Sequence, residues 1–259
     1  MADPVQTQLD APITTEPTRS SCGSWTLYEY PVVSSTNILA VGLPAWNAVR
    51  ADTQTNGRGR FQRTWISDDG GLWLSAVVPL DSEAITRRVL PLAAGLAICD
   101  VLRALGVSNF RMRWPNDVLV NDRKLAGLLI DEFSHGLAVV GIGMNVHNRP
   151  EAKDARLINL TTRLADLMPQ PPALPVLAAL VLRQLASVLE EFGARGIAAF
   201  FVRVNKLWGQ TRKLELDLDG TIQQGLFHGV DSEGRLVLAD PSGQLAFFEA
   251  HRVRHLTET

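Results

Sequence analysis

The sequence predicts an α+β fold, a central mixed sheet flanked by helices with a small antiparallel β-barrel at the C-terminal end. Three observations carry this. From Trp25 onward, short β-type runs mix with longer helical periodicities without the strict alternation of a βαβ fold. Two segments repeat apolar residues at helical spacing. After Trp208 the chain changes to short strand-like runs broken by turn sequences.

Taken in order, TLYEY, LWLSAVVPL, RMRW, VLVN, LAGLLID and AVVGIGMNV are rich in β-branched and aromatic residues and read as strands of the main sheet. Residues 90–105 read as a helix: Pro91 is tolerated in the first turn, where its missing N–H has no partner to lose, and Gly106 closes the C-terminus. Leu177, Val181, Leu185, Val188 and Phe192 recur every three or four residues and mark a second, amphipathic helix. KLELDL, IQQGLFHGV, RLVLAD and LAFFEA, separated by DG, SEG and PSG turns, predict the barrel over residues 209–259. Residues 1–22 carry mostly Thr, Pro, Gln and Ser, bury too little to fold, and read as a mobile tail before a main domain of residues 23–208.

Charge and cysteine usage narrow the function. Against 27 Asp and Glu stand 25 Lys and Arg, a net charge of -2, which argues against bulk nucleic acid as the main partner and makes local basic clusters the informative ones. Cys22 and Cys99 lie far apart and outside any metal-ligand spacing, so no metal site is expected; Cys99, inside LPLAAGLAICDVL, reads as an inert buried thiol. Asp100 and Arg183 interrupt the two most apolar stretches, leaving none of the about 18 to 20 apolar residues that a membrane span requires. The first residues lack the basic end and apolar run of a signal peptide, so the expected location is the cytoplasm.

Two segments carry chemistry. QTNGRGRFQRTW, residues 54–65, combines Gly57 and Gly59 with Arg58, Arg60 and Arg63 and has no aliphatic residue. Glycines let backbone approach an anion and guanidinium forks grip phosphate or carboxylate, so this reads as a loop that wraps a charged ligand, mobile when empty because its arginines repel one another. Taken alone, the same residues also fit a solvated basic loop or an RGR-type nucleic-acid contact. The second segment, RWPNDVLVNDRKLAG, places Asn116 and Asp117 before a β-hairpin that turns at Asn121 and Asp122 and returns through Lys124. Period-two alternation puts Lys124 and Ala126 on one face and Leu125 on the other. SSTN, residues 34–37, is a cluster of short donors and acceptors that also fits a helix N-cap, and GIGMNV, residues 141–146, is a weak signal by itself.

SSTN, GRGR with its downstream RTW, WPND, RKLAG and GIGMNV occur in the order and at about the spacings of biotin protein ligases, and the chain resembles that family closely from Trp25 to about residue 145. The resemblance implies a biotin/lipoate ligase-like catalytic domain with a Src-homology-like barrel. It implies activation of biotin by ATP and Mg2+ to biotinyl-5'-AMP and transfer to one lysine of a biotin carboxyl carrier domain, of acetyl-CoA carboxylase or a related carboxylase, by a monomer or homodimer. Ser35, Thr36 and Gln54 then hydrogen-bond the ureido ring of biotin, Asn37 and Gly127 also belong to the biotin site, and Gly57, Arg58, Gly59 and Arg60 belong to the loop that closes over biotin and the adenylate phosphate. The resemblance likewise implies that Lys124 stands beside the carboxylate and α-phosphate, Asn116, Asp117 and Asn145 near ATP and its magnesium, and Arg63 and Trp65 on the nucleotide side of the loop.

The reaction makes sense of these residue types. A carboxylate attacking a phosphate brings two anions together, and Lys124, Arg58 and Arg60 supply the compensating charge; Asp117 is the candidate to orient or deprotonate the carrier amine. Phe61 and Gln62 depart from the family pattern, where arginine or a small residue and then glycine are usual, and are expected to stiffen the loop. No segment before SSTN reads as the DNA-binding domain of the bifunctional repressor members, so a ligase without operator binding is expected. Lipoate or octanoate ligases and transferases share the fold, but their RRxSGGG-type run is not found at the loop.

Overall fold

A computed structural model describes residues 16–80, 88–133, 136–208 and 212–258. Eight strands, β1 (Thr18–Cys22), β2 (Trp25–Val33), β3 (Asn47–Gln54), β4 (Leu72–Pro79), β5 (Phe110–Arg113), β6 (Asp117–Val120), β7 (Arg123–Phe133) and β8 (Leu137–Met144), form one mixed sheet. Their order is β1-β2-β3-β4-β8-β7-β6-β5, and every neighbouring pair is antiparallel except β2 with β3.

Strand alternation decides where the core and the site lie. Leu72, Leu74, Ala76 and Val78 of β4, with Ala138, Val140, Ile142 and Met144 of β8, join the main core beneath helices α2 (Leu90–Ala104) and α3 (Leu174–Trp208). The periodic residues of α3, Leu177, Val181, Leu185, Val188 and Phe192, are all buried there, and the helix kinks at Gly196, which adopts φ 76°. The other face carries Val77 and Val139 under the short helix α1 (Thr36–Ala40), and farther along the same rows it carries Ser75, Gly141 and Gly143.

Five further strands, β9 (Lys213–Leu218), β10 (Thr221–Val230), β11 (Leu236–Ala239), β12 (Leu245–Phe248) and β13 (His255–Glu258), form an antiparallel sheet in the order β12-β11-β10-β9-β13, where the barrel was expected. It is joined firmly to the rest. Trp208 stacks on Phe227 at 4.1 Å, Trp114 Nε1 donates to the Gly234 carbonyl at 3.0 Å, and Arg111 grips both carboxylate oxygens of Glu258.

The structure departs from the sequence reading at three places. Thr18–Cys22, expected in the tail, is an edge strand; Gly23 at φ 63° turns the hairpin into β2 and the buried Cys22 reaches the Ala179 carbonyl at 3.7 Å. Residues 1–15 of that expected tail lie outside the described residues. NAVRADTQ, which its charges disguise, is strand β3: Arg50 is buried because it pairs with Glu29, directly opposite on β2, at 2.7 Å. The third is β13, a short closing strand that no turn signal announces.

Candidate active site

On the α1 face of the sheet lies a cleft of about 810 Å³, walled by the 58–66 loop, the 150–161 segment and residues 253–256, which lead into β13 of the C-terminal sheet. Every expected site residue lines it except Gly57, which lies under the loop: a Cβ there would fall 2.2 Å from the Trp65 carbonyl oxygen and 2.3 Å from Ser67 Oγ.

Glycines make the floor. Gly127 of β7 and Gly143 of β8 are register partners, and the Trp65 indole lies against both; a Cβ on Gly143 would stand 2.6 Å from its Nε1 and one on Gly127 2.9 Å from its Cζ3. Gly141 does the same for Asn37, whose Oδ1 would be 2.3 Å from an added Cβ. The weak GIG signal is therefore a pair of close approaches that only a missing side chain permits.

At one end stand the short polar residues. Ser35 occupies the N-cap position of α1 but makes no capping hydrogen bond, so its hydroxyl is not spent on the helix. Thr36 donates through N–H and Oγ1 to Gln54 Oε1 at 2.8 and 3.0 Å, and Gln54 Nε2 donates to Ser67 Oγ at 2.8 Å. Asn37 Nδ2 donates to Asp131 Oδ2 at 2.8 Å, while Ser75 Oγ lies 2.7 Å from Thr36 Oγ1 and 2.6 Å from Asn37 Oδ1. Ser67, Ser75 and Asp131 were missed by the sequence reading. They sit in no motif, and only the alternation of β4 and β7 hints that Ser75 and Asp131 share a face.

At the other end Lys124 Nζ stands 2.6 Å from Asp117 Oδ1, close enough for an ion pair although its angles fall outside those of a hydrogen bond, and 4.9 Å above the Trp65 ring. Arg113 holds the second oxygen of Asp117 at 2.6 Å. Burial alone raises the Asp117 pKa, but Lys124 and Arg113 overcome it and hold the carboxyl below the ordinary carboxylate range. The expected pairing of Lys124 with Ala126 is corrected. Between Val118 opposite Ala126 and Leu119 opposite Lys124 the ladder skips Leu125, a β-bulge, so Leu125 and Ala126 both enter the core and the Lys124 stem passes over Gly127. Asn116 Nδ2 donates to the Leu128 carbonyl at 2.8 Å, and Asn145 is bonded to the Thr162 carbonyl and to Asn148, so both amides also brace the backbone around the cleft.

The arginine loop rests on the C-terminal sheet. Arg60 Nη2 donates to the Ala250 and Val253 carbonyls at 2.5 and 3.3 Å, and Arg63 Nη2 to the Arg254 carbonyl at 3.0 Å. Burial lowers the Arg60 pKa to about 10, with Asp117 opposing the shift and Arg63 and Arg254 adding to it, which leaves the group charged at neutral pH. Phe61 is ringed by guanidiniums, with Arg254 at 4.3 Å and Arg60 at 4.7 Å from its centroid, and both Phe61 and Gln62 are left-handed at φ 55° and 59°. Arg58 lines the cleft and bridges to Thr64. Cys99 is buried in the core, its thiol pushed up to about 12 by that burial, and plays no part in the site. Among the described residues no group of three metal-ligating side chains occurs, and no helix is long and apolar enough to cross a membrane.

Residues 31–146, which carry nearly all of these groups, match the Biotin/lipoate A/B protein ligase family. Over 213 residues the chain is 34% identical to the biotin--[acetyl-CoA-carboxylase] ligase of Mycobacterium tuberculosis, spanning 80% of this chain and 77% of that one. The chain belongs to the biotin protein ligase family. It is also 32% identical over 221 residues to the bifunctional ligase/repressor BirA of Escherichia coli, covering 80% of this chain and 67% of BirA. The biotin protein ligase of Aquifex aeolicus, solved in complex with biotin and ATP, superposes with a TM-score of 0.79 at 25% identity, over 90% of this chain and 99% of its own. The biotin protein ligase fold thus includes both the mixed sheet and the C-terminal sheet.

Proposed function

We propose that the chain is a biotin-[acetyl-CoA-carboxylase] ligase that forms biotinyl-5'-AMP from biotin and MgATP and passes the biotinyl group to one lysine of a carboxyl carrier domain. One observation carries the assignment beyond family membership. A single cleft holds a neutral donor and acceptor cluster at Thr36 and Gln54 and a cationic cluster at Lys124 and the loop arginines, with a side-chain-free floor between them. Biotin has the matching shape, an uncharged ureido ring at one end and a carboxylate at the other.

In the first step a biotin carboxylate oxygen attacks the α-phosphorus of ATP, forming an O–P bond as pyrophosphate departs. Lys124 and Arg58 supply positive charge where the two anions meet, and a preorganised cation of this kind stabilises the transition state rather than the separated reactants. Magnesium arrives as part of the nucleotide substrate, which suits a cleft whose one buried carboxylate is already engaged by Lys124 and Arg113. In the second step the carrier lysine amine attacks the acyl carbon, the C–O bond to AMP breaks, and the amine proton passes to the departing phosphate or to water. Asp117, held ionised by two cations, is a weak base, and its role in this reading is to aim Lys124.

The test is mass spectrometry of the protein with biotin, MgATP and a carrier-domain fragment. One biotinyl group on one lysine of the fragment is the expected product. Pyrophosphate exchange supported better by lipoate or octanoate than by biotin would overturn the substrate.

A further inference from the structure

Phe61 and Gln62 stand where the family pattern has arginine or a small residue and then glycine, yet both hold the left-handed backbone that glycine adopts without cost, at φ 55° and 59°. Two successive side chains persist in that region only when their surroundings keep them there. Those surroundings belong to the C-terminal sheet. Arg254 grips the loop twice: its backbone carbonyl accepts from Arg63 Nη2 at 3.0 Å, and its guanidinium lies 4.3 Å from the centre of the Phe61 ring. It is itself fixed, because its backbone N–H donates to the Asp217 carbonyl at 2.8 Å and its Nε to the carboxylate of Asp219 in the turn between β9 and β10. Arg60 at 4.7 Å and Arg63 at 6.0 Å bring the cations around the same ring to three. Their mutual repulsion pushes the loop away from the sheet, and the electron-rich face of Phe61 offsets it at the point where they converge.

We infer that Phe61 and Arg254 form a latch between the arginine loop and the C-terminal sheet, and that they are positioning residues for retention of the acyl-adenylate. They act through the loop: with Phe61 docked, Arg60 stays on the Ala250 and Val253 carbonyls and Arg58 stays at the cleft. A docked loop must lift before an intermediate beneath it can leave, so the release rate carries the strength of the latch. The inference rests on the reading of the cleft as the place where biotinyl-AMP forms, and deepens it by giving the C-terminal sheet a part in holding that intermediate. Phe61→Arg would add a fourth cation to the three and Gln62→Gly would free the backbone, so the latch belongs to this chain, at the two positions where its loop leaves the family pattern.

The experiment measures release of biotinyl-AMP, formed on the full chain from labelled biotin and MgATP and chased with excess unlabelled biotin, for the wild type, Phe61→Leu, Phe61→Tyr, Arg254→Met and the double variant Phe61→Leu/Arg254→Met. Phe61→Leu keeps an apolar side chain without a π face and should release the adenylate about tenfold faster, and Arg254→Met should do the same. Phe61→Tyr, which keeps the ring, retains the slow release. Because each single variant breaks the same contact, the double variant should be no more than about twofold faster than either. Release from Phe61→Leu at the wild-type rate, release from Phe61→Tyr as fast as from Phe61→Leu, or a double variant about a hundredfold faster than the wild type, the product of two independent effects, overturns the inference. A wild type that forms no adenylate from biotin would instead sink the reading of the cleft. The latch is then decided in the free protein, where amide exchange across residues 59–63 should be about tenfold faster in Phe61→Leu than in the wild type, and equal exchange overturns it.

Discussion

Replacing Lys124 by methionine removes one charge while keeping an unbranched stem to pack over Gly127 and Trp65. At 2.6 Å from Asp117, and with an effective dielectric of about 20, the attraction lost is on the order of 6 kcal/mol, most of which is offset by the desolvation no longer suffered by the ammonium. Arg113 still holds the other oxygen of Asp117, so the fold should survive with a loss of about 1 to 3 kcal/mol. Catalysis has no such reserve. If Lys124 is the cation beside the reacting anions, as proposed, single-turnover formation of biotinyl-AMP should fall about a hundredfold, equivalent to about 3 kcal/mol of transition-state stabilisation. Biotin affinity, which the proposed reading assigns to the Thr36 and Gln54 end, should change far less. Acid titration gives a second reading. The depressed Asp117 pKa contributes stability that is present above about pH 4 and lost as pH falls through the folded value; without Lys124 the depression is smaller, so less stability disappears on acidification. Single-turnover activation within about fivefold of the wild type, in a folded variant, would refute the role given to Lys124.

Three further substitutions probe the rest of the site. Asp117→Asn should slow transfer from preformed biotinyl-AMP by no more than about tenfold and leave its pH profile unaltered, because an ionised, doubly paired carboxylate is not the base; a loss of several hundredfold confined to transfer would make it one. Gly143→Ala places a methyl 2.6 Å from Trp65 Nε1 and must displace the indole, so equilibrium binding should show ATP affinity at least about tenfold weaker, with stability lowered by about 1 to 3 kcal/mol in denaturant titration. Arg60→Gly cuts the ties from the loop to the Ala250 and Val253 carbonyls, and adenylate should escape faster and label bystander lysines. Hydrogen exchange across residues 55–65 should fall when biotin binds the wild type and fall less in that variant, whereas equal release rates would show that Arg60 does not hold the loop closed.

What could be read from the sequence was whatever a single stretch of chain decides. The α2 helix is legible because Pro91 and Gly106 bracket an apolar run, and the cleft-lining motifs because glycines, arginines and short polar residues cluster where backbone meets ligand. Features that depend on a distant partner were hidden. Arg50 looks like a loop residue until Glu29 lies opposite it, and the bulge at Leu125 leaves no mark inside LAGLLID, yet it decides which face Lys124 occupies. Ser67 and Ser75 are ordinary serines whose importance comes from neighbours that other strands deliver. The seating of the arginine loop on the C-terminal sheet spans about 190 residues of chain, beyond the reach of any local pattern.

The bare floor has an evolutionary corollary. Where Gly127, Gly141 and Gly143 meet the cleft there are no side chains to trim, so single substitutions there can only make the site smaller. A variant able to admit a bulkier vitamin analogue must therefore arise on the walls, by shortening the side chains that now rest on the glycines. Trp65 and Asn37 are the obvious places for that change, yet one lies against Lys124 and the other is wired to Ser75 and Asp131. Adaptation toward new acyl groups is thereby coupled to the machinery of activation, and laboratory selections for altered substrates should recover compensating pairs of changes more often than single ones.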